Sequence, residues 1–252
     1  MKAMVLCAGY GTRLGNLTDA TPKAMLLIEG KPILEYILSN LSFYGFREIV
    51  INLHFMPELI RSYFRDGSDW GIELQYSYEP VLLGTAGAIK KMESFLAQDE
   101  TFLLHYGDII TDQNFSEMMS FHDKKKAIGT LLLHKRLKSN SIVEMDETGK
   151  IALFLERPQS DNHPARQRSW VNSGVSIFDR EIFRCIPSES FCDLPRDIFP
   201  GIIETGRLFG YPLSSYRCAV DSPERYKEAQ RAISAGECRI PDVRTKESTL
   251  EY

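Results

Sequence analysis

Between residues 4 and 106, short apolar runs alternate with stretches of helical spacing, and this alternation constrains the fold more than any other feature of the chain. Residues 4–7, 48–53, 72–78 and 101–106 read as strands. Residues 32–41, 57–64 and 85–96 read as helices, with Pro32 suited to a first helical position and Gly45 to a stop. Strand–helix alternation of this kind builds βαβ units. The expected fold is therefore α/β, with a Rossmann-like, mixed but mostly parallel sheet flanked by helices. Crossovers in such sheets are right-handed, and ligands bind outside the carboxyl ends of the strands.

The second half is less regular. Residues 127–136 and 171–178 read as strands, and 142–155 as a hairpin turning at Glu147-Thr148-Gly149. Residues 195–204 and 223–234 read as helices, with one or two strands between them in 208–220. The polar, proline-bearing segment 159–169 reads as a mobile loop. No repeat stands out. The expected organisation is one domain over 1–235 and a mobile C-terminal tail over 236–252.

The net charge of -4 and the lack of a long Lys/Arg block argue against a nucleic-acid partner. The run Lys124-Lys125-Lys126 suits the solvated end of a helix. Cys7, Cys185, Cys192, Cys218 and Cys238 have no C-x-x-C spacing, so reduced thiols are expected. No signal-peptide pattern or bilayer-length apolar run is visible, which gives an expectation of a cytoplasmic protein with no membrane partner. A homodimer is an open expectation.

The candidate site lies at the strand ends. Gly9-Tyr10-Gly11-Thr12-Arg13 follows the first strand. Glycines let a backbone approach a phosphate, and consecutive amides form anion-binding nests. The spacing is neither G-x-G-x-x-G, since Leu14 stands at the third glycine, nor a Walker loop. A tight turn with a surface arginine is the plain alternative. Thr21-Pro22-Lys23 supplies a second cation stiffened by proline, and two cations over a glycine nest suit a polyphosphate. Asp108, after the apolar run 102–106, stands where a Mg²⁺ ligand would, or else caps a turn. Asp221 is its natural partner, although Asp221-Ser222-Pro223-Glu224 also reads as a helix N-cap. The small residues of 80–88 could take a flat base or simply lead into a helix. The five histidines share no metal-like spacing.

Taken in order, these stretches resemble the sugar-1-phosphate nucleotidyltransferase family. The likeness runs through L-C-A-G-Y-G-T-R-L (6–14), T-P-K (21–23), G-K-P-I-L-E-Y (30–36), E-P-V-L-L-G-T-A-G-A (79–88), Y-G-D (106–108), F-L-E-R-P (154–158), V-N-S-G (171–174) and V-D-S-P-E-R-Y (220–226). The L-L-G-T-A-G stretch looks most like the mannose- and heptose-1-phosphate guanylyltransferases, and L-T-D-A-T-P-K with V-I-N-L is similar to the uridylyltransferases.

The resemblance implies a transfer from a nucleoside triphosphate, GTP favoured, to a sugar 1-phosphate, with release of pyrophosphate. It implies that Gly9, Gly11 and Thr12 cradle the triphosphate, with Arg13 on the leaving pyrophosphate and Lys23 at the α-phosphate. Leu6, Ala8, Glu79 and Gly84 would serve the nucleotide, base included. Glu156, Asn172 and Gly174 would hold the sugar and Arg157 its phosphate, while Asp108 and Asp221 would hold Mg²⁺. The chain departs from the family pattern in Cys7-Ala8, in Arg157 where lysine is usual, in Ser222-Pro223 after Asp221, and in Asn140-Ser141 where a Y-G turn is expected. The hexapeptide-repeat domain of longer members is not seen. Uridylyl, cytidylyl or thymidylyl transfer, and a non-catalytic nucleotide-sugar sensor, are the alternatives.

Overall fold

A computed structural model describes residues 1–136, 141–156, 169–188 and 191–244. The chain divides into two compact units. One comprises residues 1–78, 107–112 and 216 onward, the other 79–106 and 113–215.

In the first unit, Lys2–Leu6, Glu48–Leu53 and Glu73–Tyr78 run parallel side by side, with Lys2 opposite Glu48 and Glu48 opposite Glu73. Ala3, Met4, Val5, Ile49, Val50 and Ile51 are fully buried, as strands covered on both faces require. The buried Lys2 ammonium is matched by Glu48 across the strand pair at 2.5 Å. The crossover helices are Ile33–Phe43 and Pro57–Phe64. Gly45, at φ +84°, ends the first of them in the left-handed region that glycine favours. Asn40, buried on that helix, donates to Thr111 O at 3.0 Å.

The second unit is built on the long strand Ser169–Asp179. It runs antiparallel to Thr101–Tyr106 and to Gly129–Arg136. Ser141–Met145 and Ile151–Glu156 form the expected hairpin. Asp146 Oδ1 closes its turn by accepting from Thr148 N and Lys150 N, and Gly149 takes φ +85°. Leu208–Pro212 runs parallel to Gly129–Arg136, so the pairing is mixed, as expected. Residues 85–96 form two helices, Gly84–Lys91 and Glu93–Leu96, rather than one.

Residues 236–244, read from sequence as part of a mobile tail, pack on the first unit. Cys238 is buried, Asp242 pairs with Lys31 at 2.6 Å, and Arg244 lies over the Trp70 ring at 5.1 Å. The loop expected at 159–169 falls, except for Ser169, outside the described residues. Each of the five cysteines is a free thiol. Among the described residues no helix is long and apolar enough to cross a membrane.

His122 gives the fold a pH dependence. It is buried on the helix Phe115–Lys125, with Nδ1 2.9 Å from Thr130 Oγ1. Burial pushes its pKa down from 6.5 to about 4. The unfolded chain therefore takes up a proton near 6.5 that the folded chain refuses, so the stabilisation is present above 6.5 and lost as pH falls toward 4. The full cost of keeping the ring neutral is about 3 kcal/mol. Urea midpoints measured between pH 4 and 7 should fall more steeply for the native chain than for His122→Gln. Parallel curves would refute the assignment.

Candidate active site

The strand Lys2–Leu6 opens at its carboxyl end into the glycine loop. Cys7 N donates to Asn52 Oδ1 at 2.8 Å, tying the start of the loop to the neighbouring strand. Gly11 has φ +70°, and a Cβ there would stand 3.2 Å from Thr18 Cγ2 and 3.3 Å from Lys23 Cβ, so the position is made for glycine. Gly11 O accepts from Leu14 N and Thr18 Oγ1, at 2.9 and 3.1 Å. The chain then winds through short helical turns over Thr12–Thr18, broken at Gly15. Ala8 is buried and Leu6 half-buried, while Gly9, Thr12 and Arg13 are exposed.

Asp108 is placed by a close backbone approach. Gly107 N donates to Leu6 O at 2.9 Å, and a Cβ at Gly107 would lie 2.5 Å from Cys7 Sγ and 2.8 Å from Leu6 O. Ile109–Thr111 then pairs antiparallel with Arg217–Ala219, and Val220 N donates to Asp108 O at 2.8 Å. The pairing sets Asp221 beside Asp108. The cap of the helix Pro223–Ser234 is Ser222, not Asp221, so the N-cap seen in the sequence belongs to the serine.

Cations surround the two carboxylates. Lys23 Nζ is 2.5 Å from Asp108 Oδ2, and both side chains are largely buried. Arg13 Nη1 is 3.5 Å from Asp221 Oδ2, and Arg225 Nη1 is 3.4 Å from Asp221 Oδ1. Arg13 is 67 % exposed, so its pair is weak and the guanidinium is free to turn toward an incoming anion. Burial lowers the pKa of Arg217 to about 10, and the charges of Asp108 and Asp221 oppose that fall. Sequence reading missed Arg217 and Arg225. Arg225 carried a signal, four residues beyond Asp221 at the start of a helix. Burial, then the charge of Asp108, pushes the Cys7 thiol far up, so it packs rather than reacts.

Among the described residues no group of three His, Cys, Asp or Glu side chains is placed to hold a metal. Asp108 and Asp221 offer hard oxygens from adjacent backbones. That donor set fits Mg²⁺, which commonly takes one or two carboxylates and completes its shell with phosphate oxygens and water.

In the second unit, Glu79 is buried and its Oε2 accepts from Leu83 N at 3.1 Å. Gly84, at φ +76°, meets the backbone of Cys192. The first amides of the helix Gly84–Lys91 are already taken: Ala86 N and Gly87 N donate to Cys192 O, and Thr85 N to Asp193 Oδ1 at 3.1 Å. Asn172 and Gly174 sit on a bulge where the register of Ser169–Asp179 shifts. Asn172 Oδ1 accepts from Gly174 N at 3.0 Å, and Gly174 has φ +82°. Ser173 between them is buried, its Oγ 2.9 Å from His134 Nδ1. Glu156 ends its strand, half-buried, opposite Ser141. Arg157 and Asn140 lie outside the described residues.

The first unit therefore gathers Arg13, Lys23, Asp108 and Asp221, which the sequence singled out separately. The second gathers Asn172 and Gly174 on one bulge.

The chain is 35% identical over 223 residues to the UTP–glucose-1-phosphate uridylyltransferase of Synechocystis, covering 83% of this chain and 57% of that protein. It is 29% identical over 246 residues to the mannose-1-phosphate guanylyltransferase of Mycobacterium tuberculosis, covering 96% of this chain and 67% of that one. The crystal structure of HddC from Yersinia pseudotuberculosis superposes with a TM-score of 0.77 at 20% identity, over 92% of this chain and 99% of that one. The chain thus spans a little over half the length of its Synechocystis relative. The family profile described as "Nucleotidyl transferase" matches residues 2–230, and the chain belongs to that family.

Proposed function

We propose that this chain transfers a nucleotidyl group from a nucleoside triphosphate to a sugar 1-phosphate. One phosphate oxygen of the sugar 1-phosphate forms a bond to the α-phosphorus. The α–β phosphoanhydride bond breaks, and its electron pair leaves on pyrophosphate. The nucleophile is already an anion, so no general base is required, and the protein's work is alignment and charge neutralisation.

The observation that carries this reading is the convergence of Arg13, Lys23, Asp108 and Asp221 around the loop leaving the first strand. In this scheme Gly9, Gly11 and Thr12 cradle the triphosphate, Arg13 follows the pyrophosphate and Lys23 meets the α-phosphate. Leu6, Ala8, Glu79 and Gly84 serve the nucleotide. Glu156, Asn172 and Gly174 hold the sugar, with Arg157 on its phosphate. Asp108 and Asp221 hold Mg²⁺, which when bound supplies positive charge to the phosphates.

Guanylyl transfer to a mannose- or heptose-type sugar 1-phosphate is the first choice, on the L-L-G-T-A-G stretch at 82–87. Uridylyl transfer is the second, on the 35% identity to a uridylyltransferase. The test is pyrophosphate release with Mg²⁺, pairing GTP, UTP, CTP, ATP and dTTP with hexose, amino-sugar and heptose 1-phosphates. One productive pair is expected. A folded protein that binds nucleotide yet releases no pyrophosphate with any pair would be a sensor, and the proposal would fall.

A further inference from the structure

Tyr10 stands between Gly9 and Gly11, half-exposed, in the loop assigned above to the triphosphate. Its hydroxyl lies 2.5 Å from His54 Nε2. The two rings meet edge-on with centroids 5.0 Å apart, and the Phe55 ring centroid is 6.0 Å from that of Tyr10. His54 directly follows the strand Glu48–Leu53, which is the parallel neighbour of the strand feeding the loop. Tyr10 therefore reaches from one strand end to the next.

The flanks of the loop are held by other means. Cys7 is tied to Asn52, and Gly11 O accepts from Leu14 and Thr18. Between those ties lies Gly9, with nothing within 4 Å of where a Cβ would be. Two glycines on either side of one residue give the backbone many conformations, and each must be surrendered when a ligand orders the loop. A side-chain tie at the middle residue reduces that loss in advance.

We propose that Tyr10 and His54 are a positioning pair that holds residues 9–12 in the shape that receives a triphosphate. Neither need touch the reacting atoms. The inference rests on the reading of this loop as the triphosphate site.

A double-mutant cycle tests it, with native chain, Tyr10→Phe, His54→Ala and the double variant titrated against GTP and UTP by calorimetry. Each single change should weaken binding about threefold to tenfold, the size of one hydrogen bond's net contribution. The double variant should be no weaker than the poorer single one. KM for the triphosphate should rise more than kcat falls, and His54→Gln, which retains a polar group on His54's side, should recover part of the loss. Hydrogen exchange at the amides of residues 9–12, read without nucleotide, should quicken alike in both single variants. Native-like binding by Tyr10→Phe would overturn the pair. So would losses that multiply in the double variant, which would mean that Tyr10 meets the ligand on its own. A native chain that binds no triphosphate would instead remove the underlying reading, and unchanged exchange in both variants would then remove the pair as well.

Discussion

Lys23→Met is expected to cut turnover by about a hundredfold or more while leaving the fold intact. The substitution keeps the apolar stem and removes only the charge. That charge sits 2.5 Å from Asp108, and only 15 % of the side chain is exposed. Nucleotidyl transfer brings a sugar phosphate against a triphosphate, so each lost cation raises the barrier directly. Folding loses less. Asp108 is 23 % exposed, so water can solvate it, and the Arg217 charge still faces it. A stability loss of about 1 kcal/mol is the scale for one such pair. Steady-state kcat and the thermal midpoint of the same preparation decide the matter, and near-native turnover would remove Lys23 from the mechanism. A second readout has the opposite sign. Under the proposal that Asp108 holds a divalent cation, Lys23 is that cation's competitor, so Mn²⁺ titrated without nucleotide should bind more tightly to Lys23→Met than to the native chain.

How far the sequence could be read follows from what each element depends on. The strands Glu48–Leu53 and Thr101–Tyr106 and the helices Pro57–Phe64 and Pro223–Ser234 fall where periodicity puts them. Their apolar patterns are local and their ends carry proline or serine signals. Of the helix Phe115–Lys125 only the solvated lysine end was legible, because it buries only Phe115, Met118 and His122, too thin a stripe to register as amphipathic. Its start was nonetheless marked by an asparagine N-cap. Asn114 Oδ1 accepts from Ser116 N and Glu117 N, and Asn114 Nδ2 donates to Glu117 Oε1 at 3.0 Å. The three-residue strand Ile109–Thr111 had no pattern to show; it exists because Arg217–Ala219 pairs with it, a contact a hundred positions away. The same pairing brings Asp108 and Asp221 together. Sequence could nominate both aspartates but not place Arg217 beside them, because nothing local marks a half-buried arginine as a counter-ion.

The break between Gly84–Lys91 and Glu93–Leu96, and the role of Gly84 itself, are likewise tertiary, and Gly84→Ala should show it with the largest loss of stability. Gly84 has φ +76°, which costs an alanine about 1 kcal/mol or more. Its Cβ would also stand 2.5 Å from Cys192 O and 2.9 Å from Cys192 C. Those are backbone atoms, and they cannot turn aside. Cys192 O accepts from Ala86 N and Gly87 N, and Cys192 N donates to Leu83 O at 2.9 Å. Thr85 Oγ1 donates to Asp193 Oδ1 and accepts from Leu194 N. Moving Cys192 away would strain all of these bonds at once. The expected loss is about 2–4 kcal/mol, or roughly 5–10 °C in the thermal midpoint. Gly201→Ala is the matched contrast. It lies in the helix Phe199–Glu204 with nothing within 4 Å of its Cβ position, so alanine should stabilise it by up to about 1 kcal/mol. If both variants melt with the native chain, the contact between Gly84 and Cys192 does not hold the fold. If Gly84→Ala keeps its midpoint and instead loses nucleotide binding, the glycine serves the ligand rather than the packing.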